Sequence, residues 1–234
     1  MHDNAASILG LALRITPLTL SGAAVVGGEV HVTRSFISFS HTPEYVDGDT
    51  VEDKAADGGL CASYTTPPSF KNASLALALC DPNPSLHASL VGGILLQPEV
   101  PLVPAAPVGW ASPLEGAQVD VPVALEIWTR AIVGGKPAVV NPFWHWVFPM
   151  ATLKMSGSRT MENGRMGVEF EGWSVGNSAV ASTLAAFTEA PWEYTTNSAF
   201  QFARCAETVS TFGVSTAPTS TQGAFSPSFD PTFN

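Results

Sequence analysis

The chain has 234 residues, 20 acidic against 10 basic side chains, a formal net charge of −10, and only 13% charged residues beside 45% apolar ones. Acids and bases are spread evenly, with no basic block, which excludes a protein that grips nucleic acid by neutralising its phosphates. The length suffices to bury a core without metals or disulfides, and a surface so short of charge predicts cover by further copies of the same chain.

The start, Met1-His2-Asp3-Asn4, lacks the positive charge of a secretory leader, and the apolar run 8–26 is broken by Arg14 and Pro17. Together they predict no targeting segment, no membrane span and assembly in the cytoplasm. Twenty glycines and nineteen prolines are dispersed along the chain and punctuate many short elements, the pattern of a mainly β fold. Phe36-Ile37-Ser38-Phe39-Ser40 is a short β-prone run. The stretch 41–58 carries Glu44, Asp47, Asp49, Glu52, Asp53 and Asp57 against Lys54 alone and reads as an acidic loop. Leu75, Leu77 and Leu79 alternate at the period of a half-buried strand. Asp81-Pro82 followed by Ser85–Leu90 and Gly92 predicts a short helix, capped by Asp81, with Pro82 in its first turn and Gly92 as its stop. The Pro-rich stretch 97–109 reads as a loop.

In the second half, Val121, Val123, Leu125 and Ile127 share one face of a predicted strand, and Ala124, Glu126 and Trp128 share the other. Further strands are predicted at Trp144–Phe148, Met166–Glu171 and Phe200–Ala203, and a second helix at Ala179–Thr188. The tail after 206 is rich in Ser, Thr, Pro and Phe, has too little apolar surface for its own core, and offers Phe225, Phe229 and Phe233 as anchors on a neighbour.

The chemistry of catalysis is missing. The five histidines have no ligand-like spacing, and no GxSxG, P-loop or GxGxxG is present. Asp47-Gly48-Asp49 starts like a calcium loop, but Val51 stands at the third ligand position and Gly58 at that of the bidentate acid, so a solvated acidic loop is the preferred reading. Glu169 and Glu171 share a strand face, which reads as a solvated face before it reads as acid–base machinery. Cys61, Cys80 and Cys205 fit no metal pattern and read as reduced thiols, with a Cys61–Cys80 bridge as the alternative. No cofactor, metal or catalytic residue is therefore expected.

A run of short motifs carries a resemblance. Leu125-Glu126-Ile127-Trp128-Thr129-Arg130, then Trp144-His145-Trp146-Val147-Phe148-Pro149, the stretch 156–164, Val168-Glu169-Phe170-Glu171-Gly172-Trp173-Ser174-Val175-Gly176-Asn177, and Trp192 with Phe200–Arg204 occur in an order that resembles the major tail-tube proteins of siphophages infecting actinobacteria. Tyr64–Pro68, the Leu75–Cys80 strand and the stretch 81–86 resemble that family more loosely. After Asn177 the chain departs from the family, running Ser178-Ala179-Val180-Ala181 in place of a Gly-Pro turn.

The resemblance implies a β-sandwich or barrel-like tail-tube fold with one or two short helices and extended arms. It implies hexameric rings, joined sheet edge to sheet edge and stacked head to tail, in a virion tail. It divides the chain into an N-terminal arm 1–12, a single β domain 13–205 with an acidic inter-ring loop 41–60 (Asp47, Asp49, Glu52, Asp53, Asp57), and a C-terminal arm 206–234. The implied partners are the chain itself and the tape-measure, terminator and distal tail proteins. Viral DNA would pass through a bore lined by carboxylates, with Glu126, Glu169 and Glu171 as the candidates, and would be repelled evenly rather than held. The competing readings are another virion β-module, such as a capsid decoration or tail-terminator protein, and a β-sandwich glycosidase using two of the carboxylates.

Overall fold

The structure, a computed structural model, describes residues 5–80, 83–98, 107–117, 120–157, 167–180, 194–206, 208 and 213–216. In chain order the elements are β1 (Ala6–Pro17), β2 (Glu29–Thr33), β3 (Phe36–Val46), β4 (Thr50–Lys54), β5 (Leu60–Thr65), β6 (Ser69–Leu79), α1 (Pro84–Val91), β7 (Ile94–Leu96), β8 (Gly109–Ala111), β9 (Pro122–Val133), β10 (Lys136–Pro137), β11 (Phe143–Met155), β12 (Val168–Ser174), β13 (Gln201–Cys205) and β14 (Gly213–Thr216). The protein is mainly β, as its composition predicts.

Ten strands form one antiparallel sheet in the order β14-β2-β1-β9-β11-β12-β6-β3, with β10 beside β9 and β13 beside β11. β4–β5 and β7–β8 are separate two-stranded ribbons. β11 organises the sheet. Its first half, from Phe143 to Val147, lies between β9 and β13; its second half, from Ala151 to Met155, pairs with β12. The register shift between Phe148 and Ala151 marks the change of partner, and an irregularity of this kind bends a strand. The sheet thereby folds over one core: Phe39 of β3 packs on Phe148 at 4.9 Å between ring centroids.

That core holds Leu13, Ile15, Leu75, Leu77, Leu79, Leu125, Ile127, Phe148, Leu153 and Phe170, and α1 closes it with Leu86, Leu90 and Val91. The alternation of Leu75, Leu77 and Leu79 is the inward face of β6, as predicted. Each such side chain contributes about 1.5–3 kcal/mol when taken from water. The opposite face of β1, β9 and β11 is covered as well, by Leu18, Ala124, Val147, Val180 and Tyr194 in one cluster and Ala12, Trp128, Phe143 and Cys205 in another. β9 is therefore buried on both faces.

Several expectations are corrected. Residues 6–12 are no free arm within the subunit: they are the first half of β1, paired with β9 from Ala6 onward. The helix starts two residues later than predicted, with Asn83 as its cap, its side chain accepting from the N–H groups of Ser85 and Leu86, and Pro84 in the first turn; Gly92 stops it as expected. Asn83-Pro84 repeats the Asp81-Pro82 pattern, and the second copy of the signal prevails. The stretch 41–58 is not a loop but the end of β3, the whole of β4 and the turn after it. Part of the tail, Gly213–Thr216, adds β14 to the edge of β2. Cys61 is exposed on β5 and the Cys80 Sγ donates to the Ser35 carbonyl at 3.1 Å, and the two do not form a bridge. Apart from Ala179 and Val180, the second predicted helix lies outside the described residues.

Candidate functional site

Of the three carboxylates expected to line a bore, the structure separates one from the other two. Glu126 is fully buried. Arg14, its partner in register on β1, donates Nε to Oε2 at 2.6 Å and Nη2 to Oε1 at 2.7 Å. His145 of β11 places Nε2 3.0 Å from Oε1. A carboxylate only accepts, so that nitrogen carries the proton. Trp128 stacks on the His145 ring at 4.3 Å, and the Arg14 guanidinium lies 5.2 Å from the Trp128 ring centroid. Burial alone would raise the Glu126 carboxyl, but the Arg14 charge and the His145 hydrogen bond outweigh it and hold it below its ordinary value. Burial pushes the His145 imidazole down, against the opposing pull of Glu126. The result is a neutral histidine on an internal ion pair. Glu126 is withdrawn from the bore-lining set because its charge is already matched inside the subunit.

Glu169 and Glu171 lie on the exposed outer face of the folded-over half of the sheet. Register places Ser40, Ala76, Glu171 and Lys154 in one row across β3, β6, β12 and β11, and Thr42, Ser74, Trp173 and Thr152 in the next. Ala78 stands opposite Glu169. The β3 and β6 side chains in these rows, Ser40, Thr42, Ser74, Ala76 and Ala78, are small, and Trp173 of β12 is the large one among them. Lys154 pairs with Glu171 at 3.1 Å, both largely exposed. Glu44 joins the face, accepting from the Ser74 hydroxyl at 3.0 Å. Sequence reading assigned Glu44 to the acidic loop; the signal that places it here is its even spacing from Ser40 and Thr42 on one strand.

Asp47, Asp49, Glu52, Asp53 and Asp57 belong to a projecting β arm. β3 and β6 run together to Val46–Ser69, and the ladder resumes in β4 and β5 with Thr50 opposite Thr65 and Val51 opposite Tyr64. The joint is held by Thr66, whose N–H and hydroxyl both donate to the Asp49 carbonyl, at 3.0 and 3.1 Å. Gly48 is required there: a Cβ would fall 1.6 Å from the Thr66 carbonyl oxygen. Asp57 caps the tip by accepting from the Gly59 N–H at 2.9 Å. Every residue of β4 and β5 is exposed, including Val51, Leu60 and Tyr64. From Asp47 to the tip the arm extends about 25–30 Å at the rise of a strand. Among the described residues no group of His, Cys, Asp and Glu is arranged to hold a metal ion. Phe225, Phe229 and Phe233 lie outside the described residues.

Below the arm an aromatic chain links it to the sheet. Tyr45 meets Phe70 at 5.6 Å, Phe70 meets Phe200 at 6.3 Å, His41 packs between Phe200 and Trp146, and Trp146 stacks on Phe202 at 4.5 Å. Tyr45, Phe70 and Phe202 remain well exposed.

No protein-family model and no curated protein matches the chain. One solved structure found on comparison is a chain of the sheath–tube complex of an extracellular contractile injection system in its extended state: it matches 69% of this chain and 83% of its own, at 12% identity and a TM-score of 0.29, a likeness too slight to assign a fold or a function.

Proposed function

We propose that this chain is a structural subunit of a bacteriophage tail tube, stacked in hexameric rings around an acidic bore that viral DNA crosses without specific binding. The observation that carries the reading is the arm: a two-stranded ribbon with every residue of β4 and β5 exposed. An isolated ribbon of that kind is marginal in water. Its apolar side chains Val51, Leu60 and Tyr64 have no cover among the described residues, and a further copy supplies it. The sheet also ends in β3 on one side and β14 on the other, and ring closure satisfies such edges. The outer face carrying Glu44, Glu169 and Glu171 against Lys154 is the candidate bore wall. Its small side chains and excess of carboxylates suit a polyanion that must slide. The role is structural rather than catalytic, its place is the virion tail, and its remaining partners are the other tail proteins.

The test is electron microscopy of the purified full-length chain, concentrated under reducing conditions. Open-ended tubes of sixfold rings with an acidic bore are the expected result. Closed single rings would favour a decoration or terminator protein. A monodisperse monomer at high concentration, or a cationic bore, would overturn the reading.

A further inference from the structure

The loop between β10 and β11 holds two valines out in water. Val139 is 98% exposed and Val140 73% exposed. The loop is not slack. Ala138 beside them is buried, and its N–H donates to the Ala131 carbonyl at 2.9 Å. Arg204 of β13 donates Nε to the Asn141 carbonyl at 3.1 Å and Nη2 to the Val140 carbonyl. Asn141 itself sits in the left-handed region at φ 49°. Two adjacent β-branched side chains, fixed from both flanks and left in solvent, form a preorganised apolar knob.

The other end of β11 carries an apolar hollow. A groove of about 290 Å³ is lined by Val91, Trp110, Pro113, Leu153, Met155 and Trp173. It lies beyond the start of β9, whose first residue, Pro122, pairs with Thr152 of β11. Lys154 at its rim is turned to Glu171. The volume equals that of about ten water molecules in the liquid, room for two branched aliphatic side chains. The knob lies three residues before Phe143 and the groove includes Met155, so the 13 residues of β11 hold them up to about 40 Å apart. They cannot meet within one subunit.

We infer that Val139 and Val140 of one copy seat in the groove beside Trp110 and Trp173 of the next, a head-to-tail contact that repeats along an assembly. A surface that fits a different surface of an identical molecule generates rings or filaments rather than closed pairs. The occupant is a second copy because an exposed apolar knob of a size that the groove admits stands on this same chain, at the opposite end of β11. The inference rests on the reading that the chain polymerises and names one contact by which it does so.

Two variants test it. In a Cys61→Ser background, Val140→Cys is combined with Ser112→Cys at the groove rim, and the assembled protein is mildly oxidised. The expected product is a ladder of cross-linked multimers. Each single-cysteine variant alone gives monomer, and a mixture of the two gives dimer only. Val139→Asp/Val140→Asp is expected to keep the melting temperature of the parent and to lose assembly. Parent tubes in the micrographs without a ladder, or tubes from the double aspartate variant, would overturn this contact while leaving the tube reading intact. Absence of tubes from the parent itself would overturn both.

Discussion

Arg14 and Glu126 stand directly opposite each other on β1 and β9, and their two-pronged ion pair is closed by His145 from the neighbouring strand. Three strands of the sheet are thus joined by side chains as well as by backbone. The three groups are 112 and 19 residues apart in the chain, and only the strand order β1-β9-β11 brings them into one row.

Removing one member of this group is costly. A buried ion pair adds little net stability over apolar packing, but an uncompensated buried charge costs about 3–5 kcal/mol. Glu126→Ala is expected to lower the unfolding free energy by that amount in urea, and Glu126→Lys to accumulate as insoluble chain. A soluble Glu126→Lys variant with the parent's urea midpoint would refute the internal role.

Acid should weaken the fold through its histidines. Burial lowers the imidazoles of His145, His31 and His41 from 6.5. The unfolded chain then takes up protons below about pH 6.5 that the folded chain refuses, so this stability is present above 6.5 and is lost as pH falls through that value towards the folded ones. The slope is at most about 1.4 kcal/mol per pH unit for each group. Glu126 stays ionised through the window, its carboxyl being held below 4.5. The urea midpoint should fall between pH 7.5 and 5.5, and less steeply in His145→Gln, whose amide can still donate to Glu126. A parent midpoint unchanged over that range would contradict the buried neutral imidazole.

Asn177 pins three segments together. Its amide nitrogen donates to the carbonyls of Gly22 at 2.8 Å and Pro149 at 3.1 Å, and its oxygen accepts from the Ala179 N–H at 2.8 Å. Gly22 has φ 83°, and a Cβ there would fall 2.3 Å from the Asn177 oxygen. Asn177→Ala leaves buried groups without this partner, at about 1–3 kcal/mol. For a chain of this size that is a fall of about 2–4 °C in Tm per kcal/mol. Gly22→Ala should show a loss of the same sign, because it combines backbone strain with the clash. Unchanged melting in both would remove the pin.

How much of this was legible in the sequence depended on whether a strand had one wet face. β6 did, and Leu75, Leu77 and Leu79 announced it. β9 did not: its alternation of Val123, Leu125 and Ile127 with Ala124, Glu126 and Trp128 suggested an inner and an outer face, although both are covered. Ala124 and Trp128 flanking Glu126 were the available hint that the second face was not solvated; nothing local pointed to Arg14. The arm failed for the opposite reason. A ribbon exposed on both faces has no apolar period, and its acids made 41–58 look like a loop. The first strand was hidden because, among the described residues, Ala6–Ala12 gains its pairing from β9, more than a hundred residues away.

If the chain is a tail-tube subunit, the charge of the outer face separates assembly from passage. Glu169 and Glu171 are exposed, and surface substitutions of this kind change stability by only about 0.5 kcal/mol. Glu169→Lys/Glu171→Lys should therefore fold and assemble as the parent does. On the tail-tube proposal, DNA release from phage carrying the variant should slow and become dependent on salt, because a cationic wall binds phosphates by releasing their counterions. Normal release kinetics from intact tails would remove this face from the bore.

Shortening the arm makes the sharpest distinction between a folded subunit and an assembling one. Joining Val46 to Ser69 through an Asn-Gly turn deletes β4 and β5 and leaves β3 and β6 paired up to their last register position, Val46–Ser69. None of the deleted residues contributes to the core, so the melting temperature should stay within a few degrees of the parent. The reading of the arm as a bridge between copies requires that the shortened chain remain monomeric, or stop at single rings, at concentrations where the parent forms tubes. Should it instead polymerise like the parent, the exposed Val51, Leu60 and Tyr64 would need a different partner, and the sheet edges alone would have to account for assembly.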